Sequence, residues 1–177
     1  LAGRIAATGE RARESRLPPE FRAVLTTPQL TRGDLAALIG VRLEGLIRRA
    51  PTRQVVVTDT QKHWAAQWIT ETASAGIIEP FENHTFQPEA SVRRGDLATV
   101  VSRLVALIAE SNPAVRERLS QRPAIADVPP RHLQHDAVVS AVATGVMPLV
   151  EGDRFLVSRQ VSGEEAVETA RREGEAY

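Results

Sequence analysis

The chain has 177 residues, 42% of them hydrophobic, which is enough for one ordinary core or for a few small units that share one. Lys plus Arg number 22 and Asp plus Glu number 22, so the formal net charge is +0 and no global field draws in nucleic acid or an anionic membrane. There is no Cys, which excludes disulfides, thiolate catalysis and Cys-ligated zinc and leaves the compartment open. No apolar run approaches the roughly 20 residues that span a bilayer. No basic-then-apolar leader stands at Leu1, so the sequence reads as a piece of a longer protein whose export signal lies outside it.

In chain order, residues 1–20 form a segment apart. Leu1 to Arg16, with Ile5 among alanines and arginines, reads as a helix, either a remnant of an upstream domain or the worn first helix of the unit that follows, and Pro18-Pro19 ends it. Residues 21–50 hold Thr31-Arg32-Gly33-Asp34-Leu35, in which Thr31 and Asp34 have the spacing of a capping box. Leu35, Leu38, Ile39, Leu43, Leu46 and Ile47 then repeat at helical spacing as a core face.

Residues 55–110 carry a fuller pattern. A helix is predicted from about Lys62 to Ala75, with Trp64, Trp68 and Thr72 in one row and Ala65, Ile69 and Ala73 in the next. Gly76 stands where a left-handed C-terminal residue belongs. Pro80, Asn83-His84 and Pro88 favour turns, and Asp59 is placed to cap the first helix. Arg93-x-x-Asp96 opens a second helix faced by Leu97, Val100, Val101, Leu104, Val105 and Ile108. Residues 111–123 read as a linker with one short helical stretch after Asn112-Pro113. In residues 124–172 Asp127 again precedes a first helix and Ser162-x-x-Glu165 is a capping box, while the charged tail after Ala170 reads as frayed.

Self-similarity joins these segments. Gly76 and Gly145, Phe86 and Phe155, and Val92 and Val161 are each 69 residues apart, whereas Asp59 and Asp127 are 68 apart, which assigns one extra residue to the Pro129-Pro130 loop. A two-helix unit of this size cannot bury such stripes alone. The expected fold is therefore all-α, three helix-loop-helix repeats packed as a pseudo-threefold bundle.

Thr58-Asp59, His63-Trp64-Ala65, Gly76-Ile77-Ile78, Asn83-His84-Thr85-Phe86-Gln87-Pro88 and Val92-Arg93-Arg94-Gly95-Asp96 together resemble the S-layer homology repeat. The second copy matches almost throughout, the third in its skeleton, and the first in Thr31-Arg32-Gly33-Asp34 only. The resemblance implies an exported, cell-envelope module without catalysis or cofactor, binding secondary cell-wall polysaccharide or peptidoglycan-linked glycan. Carried over by position, it implies glycan-binding roles for Arg32, Arg94, Trp64, Asn83 and His84. His84 stands where the family prefers glycine, which suggests a left-handed backbone. The third copy has Gly163 in the arginine position and Leu133 in the tryptophan position, leaving at most two competent sites.

Plainer roles compete with each of these. Trp64 in an amphipathic stripe is also a core residue. A guanidinium offers a fork of donors to a carboxylate or to sugar hydroxyls, yet Arg32 and Arg94 stand in the first helical turn, the unfavourable end of the dipole for a cation. Thr31, Asp34, Asp96, Ser162 and Glu165 are read as caps rather than as catalytic groups, which also removes an integrin-type reading of the two Arg-Gly-Asp triplets. His63, His84, His132 and His135 lack zinc spacing, and neither a nucleophile elbow nor a phosphate loop is present. The alternative function is a protein-interaction scaffold that keeps the fold without binding glycan, with other envelope proteins as partners; an accessory domain of a wall-degrading enzyme is a third.

Overall fold

The computed structural model describes residues 15–177, so the helix expected over Leu1 to Arg16 lies outside the described residues apart from its last two positions. Among the described residues the fold is all-α: α1 Pro19–Val24, α2 Arg32–Arg42, α3 Glu44–Arg49, α4 Ala66–Ser74, α5 Arg94–Ser111, α6 Pro113–Leu119, α7 His135–Ala143 and α8 Gly163–Ala176. None of these is long and apolar enough to cross a membrane. The two stripes read from Leu35 to Ile47 and from Leu97 to Ile108 are buried throughout.

The ends of the helices follow local chemistry. Thr31 Oγ1 accepts from the Asp34 N–H at 3.2 Å and Asp34 Oδ2 accepts from the Thr31 N–H at 3.0 Å, a complete capping box. At α5 Asp96 accepts from the Arg93 N–H at 3.0 Å. At α8 the Glu165 N–H donates to Ser162 Oγ at 3.2 Å, but the Glu165 carboxylate turns away from the helix end. Gly76 (φ 72°) and Gly145 (φ 75°) take the left-handed conformation that closes α4 and α7.

Three expectations need correction. The helix predicted over Lys62 to Ala75 begins only at Ala66, because His63 Nδ1 accepts from the Ala65 N–H at 3.1 Å and satisfies that donor outside the helix. His132 does the same for the Gln134 N–H before α7. Asp59 and Asp127 cap neither helix and reach instead to a distant loop. Finally, the tail after Ala170 is helical to Ala176, since Asn112 Nδ2 donates to the Ala176 carbonyl at 2.8 Å and Arg49 lies 5.3 Å over the Tyr177 ring.

Helices α2 and α4 approach closely and run in the same sense. A Cβ on Gly33 would stand 2.6 Å from His63 Cε1, and one on Gly40 would stand 2.4 Å from Trp68 Cδ1, so glycine is required at both contacts. Above the bundle, three backbone hydrogen bonds close a ring: Leu30 N–H to Val161 C=O (2.8 Å), Val161 N–H to Val92 C=O (3.1 Å) and Val92 N–H to Leu30 C=O (2.8 Å). Each residue of the ring lies just before one capped helix. Below it, faces of α2, α5 and α8 converge on a void of about 10 Å³ lined by Leu35, Leu97, Val101, Ala166 and Glu173 among others.

Glu173 is a polar group in an apolar place. It is 1% exposed, and its Oε1 has no hydrogen-bond partner among the described residues. Burial pushes its carboxyl well above the ordinary carboxylate range. The fold therefore binds this proton more tightly than the unfolded chain does. Its contribution is complete below the unfolded value of about 4.3 and is lost as pH rises toward the folded value. Glu173→Leu is expected to raise the unfolding free energy near pH 8 by about 1–3 kcal/mol and to flatten the decline between about pH 5 and pH 8. Urea titrations at both pH values check this; an unchanged slope in the variant contradicts it.

Candidate functional site

The mouths of the capped helices do not end in solvent. At α2 the Arg32 N–H donates to the Ala90 carbonyl (2.9 Å) and the Gly33 N–H to that of Pro88 (2.8 Å). The guanidinium of Arg32 sends Nε to the Phe86 carbonyl (2.8 Å) and Nη2 to the Glu79 carbonyl (2.9 Å). Its carbon lies 4.7 Å over each of the Phe81 and Phe86 rings. Nη1 of Arg32 has no hydrogen-bond partner among the described residues.

The mouth of α5 is built alike. The Arg94 N–H donates to the Arg159 carbonyl (2.9 Å) and the Gly95 N–H to that of Val157 (3.0 Å). Nε goes to the Phe155 carbonyl (2.8 Å) and Nη2 to the Pro148 carbonyl (2.8 Å), with the guanidinium 4.4 Å over the Phe155 ring. Here Nη1 is taken by the Glu165 carboxylate, and Arg94 is only 1% exposed. Desolvation pushes both guanidinium groups below their ordinary value, while Asp96 beside Arg32 and Glu165 beside Arg94 work the other way. Both stay cationic.

An aspartate sets each receiving loop. Asp59 accepts from the Phe86 N–H (2.7 Å) and the Gln87 N–H (2.8 Å), and Asp127 from those of Phe155 (2.7 Å) and Leu156 (2.8 Å). Gln87 (φ 54°) and Leu156 (φ 60°) are held left-handed, so the carboxylate fork offsets a conformation such side chains rarely adopt. Desolvation opposes ionisation of both aspartates, but the paired backbone donors carry each carboxyl below the ordinary range.

The third mouth has no guanidinium. A Cβ on Gly163 would stand 1.8 Å from the Val24 carbonyl oxygen, and the Gly163 N–H donates to the Thr27 carbonyl at 2.8 Å. The chain after α1 fills the space an arginine would need. That is a steric reason for glycine at this position.

Of the residues singled out for glycan contact, Arg32, Asn83 and His84 lie on or against one loop. Asn83 and His84 are exposed; Asn83 Oδ1 accepts from the Thr85 N–H and hydroxyl, and His84 is left-handed at φ 61°. Trp64 is half-buried in an aromatic row that runs from Phe21 through Trp68 (6.4 Å) and Trp64 (6.0 Å) to His63 (5.8 Å), the residue packed on Gly33. Leu133, in the corresponding place, is 99% exposed. Phe81, Glu79 and Arg159 escaped the sequence reading. Phe81 is 44% exposed over Arg32, and the Glu79 carboxylate ties Arg53 and Arg103 beside it. The 69-residue offset was the available signal for the loops, but it gives no hint of what they receive.

Clefts open beside both mouths. One of about 460 Å³ is lined by Arg53, Val56, Glu79, Glu82 and His84, and one of about 430 Å³ by Arg94, Pro148, Arg159, Glu165 and Arg172. A larger cavity of about 610 Å³ between α3 and α4, with Ile47, Arg48, Gln67 and Glu71 in its walls, shares Arg53 with the first of these clefts.

Two outcomes follow from this geometry. Asp127→Asn is expected to cost about 1–2 kcal/mol at neutral pH. Because the folded pKa is depressed, that contribution is present above the unfolded value of about 3.9 and is lost as pH falls through the folded one. Denaturation of variant and wild type should therefore converge as pH falls below about 3.9, and a constant gap would refute the assignment. Gly163→Ala is expected to destabilise by about 1–3 kcal/mol through overlap with Val24, read as a lower melting temperature.

Comparison with known proteins falls on the same stretch. Residues 58–98 match the model of the S-layer homology domain. Over 76 residues the chain is 28% identical to a cellulosome-anchoring protein of Acetivibrio thermocellus, a match that covers 42% of this chain and 17% of that protein. The chain thus spans well under two thirds of that relative's length. The matched segment contains the Asp59 fork, the 79–88 loop and the α5 mouth, so the similarity to the S-layer homology domain falls on the residues that build the site.

Proposed function

We propose that this chain is a non-catalytic, exported module of the cell envelope that holds its parent protein against wall-associated polysaccharide or peptidoglycan-linked glycan. The observation that carries the reading is the Nη1 donor of Arg32, without a partner among the described residues, beside exposed Phe81 and on the same loop as exposed Asn83 and His84. A guanidinium edge beside an aromatic face is a fitting receiver for a sugar with a hydroxyl or a carboxylate. The name of the cellulosome-anchoring relative supports an anchoring role. We further infer three units, residues 21–50, 55–110 and 124–172, arranged about one axis, with 1–20 and 111–123 outside them. The closed ring of Leu30, Val92 and Val161 supports that arrangement.

Retention on purified peptidoglycan sacculi tests the function. Phe81→Ala with His84→Ala alters exposed side chains and should weaken retention while the chain stays folded by circular dichroism. Arg32→Ala should weaken it by about 10- to 100-fold, the range of one charge-assisted contact. Equal retention of all variants removes the glycan reading.

A scaffold that binds protein instead is favoured by one observation, the occlusion of Arg94. A stoichiometric protein partner co-purifying with a chain that ignores sacculi would establish it.

A further inference from the structure

We propose that residues 54–57 are an open backbone edge that takes up an extended peptide of a partner protein, one with β-branched side chains and a basic residue. The inference stands apart from the glycan reading, because it uses main-chain groups of this segment and not the guanidinium of Arg32.

Between α3 and α4 the chain runs from Pro51 to Val57 without turn or bend. Burial alternates along it: Gln54, Val56 and Thr58 are exposed, while Val55 and Val57 are half-buried. That is the period of a strand with one face on a core. Three successive valines favour the same extended backbone. A strand ordinarily spends its main-chain groups on a neighbour. Here the N–H and C=O groups of Gln54, Val55, Val56 and Val57 have no hydrogen-bond partner among the described residues.

The edge is held ready from both ends. The Arg53 N–H donates to the Ser74 carbonyl (3.0 Å) and its guanidinium is tied to Glu79, while the Thr58 N–H and hydroxyl both donate to the His84 carbonyl (3.0 and 3.1 Å). A segment so fixed loses little further entropy when a strand adds to it. N–H groups alternate sides along an extended chain, so those of Gln54 and Val56 point the same way as that of Thr58, toward the 79–84 loop. On that side lies the cleft of about 460 Å³, with Val55 and Val56 on one wall and Glu79, Pro80, Glu82 and His84 on the other. A trough walled on both sides admits a bare extended chain, whereas the same segment of a second copy is itself walled in and cannot enter.

Charge selects the side chains. Glu79 is matched by Arg53 and Arg103, but Glu82 is exposed and has no ion-pair partner among the described residues. A Lys or Arg on the incoming strand finds that carboxylate, and a β-branched neighbour packs across from Val56, which is 64% exposed. Main-chain bonds then supply the affinity and the side chains the selectivity.

The test follows the amide NMR signals of residues 53–58 during titration with a blocked hexapeptide of alternating valine and threonine carrying one lysine. The Gln54 and Val56 amides should shift downfield and exchange more slowly with solvent. The same peptide N-methylated at every residue keeps its side chains and should bind about tenfold or more weakly. Val56→Pro removes a donor that the fold itself does not use, so the chain should stay folded and bind the peptide about fivefold more weakly. Glu82→Gln should weaken the lysine peptide by about two- to fivefold and leave its lysine-free counterpart unchanged. Equal binding of the N-methylated peptide overturns the inference, as does an absence of shifts at residues 53–58 in millimolar peptide. Shifts there that grow with protein concentration alone and resist the peptide also overturn it, since they mark a second copy as the occupant. If Val56→Pro fails to fold, the N-methylated comparison on the wild type still decides.

Discussion

A cation in the first turn of a helix faces the positive end of the peptide dipoles. Arg32 and Arg94 hold that position nonetheless, because each finds two carbonyl oxygens and a phenyl face in a loop that lies far along the chain. Carbonyls oriented for another purpose would not serve. The receiving loops are shaped by Asp59 and Asp127, whose carboxylates collect two successive N–H groups and hold Gln87 and Leu156 left-handed, turning the Phe86 and Phe155 carbonyls toward the guanidinium. One aspartate, one left-handed residue and one arginine thus fix the register between a helix and the loop it docks against, and the packing below inherits that register.

The same logic explains the third mouth. Closing the ring of Leu30, Val92 and Val161 brings the start of α8 against the chain that follows α1. That chain is shorter than the 79–90 and 148–159 loops and passes so close that even a methyl at Gly163 overlaps the Val24 carbonyl. An arginine is therefore excluded by the closure itself.

Amphipathic stripes, left-handed glycines and the Thr31–Asp34 capping box were legible because each is local, whereas Ser162 and Glu165, at the same spacing, form only half a box because the carboxylate goes to Arg94. What escaped was long-range and polar. Asp59 reads as an N-cap by position, and only the fold shows that its partners are 27 and 28 residues away. His63 shortens α4 by accepting a main-chain proton, a role that histidine's place in the motif does not announce. Burial of Arg94 against near-identical surroundings to Arg32 was invisible too, since it turns on a single acid 71 residues downstream. Glu173 passed as part of a frayed tail because nothing in a charged stretch marks one member as the inward-facing one.

The arginine at each mouth combines two roles that are often set against each other. Its Nε and Nη2 hydrogens hold the loop, and a guanidinium so gripped is rigid, which lowers the entropic cost of presenting its third nitrogen to a ligand. Being structural is in this sense a preparation for binding. The third position of the following capped helix is used differently at the two mouths. Asp96 is drawn back to its own helix end, whereas Glu165, one methylene longer, reaches Arg94 Nη1. Two mouths of one design thereby differ in how the third nitrogen of the arginine is used.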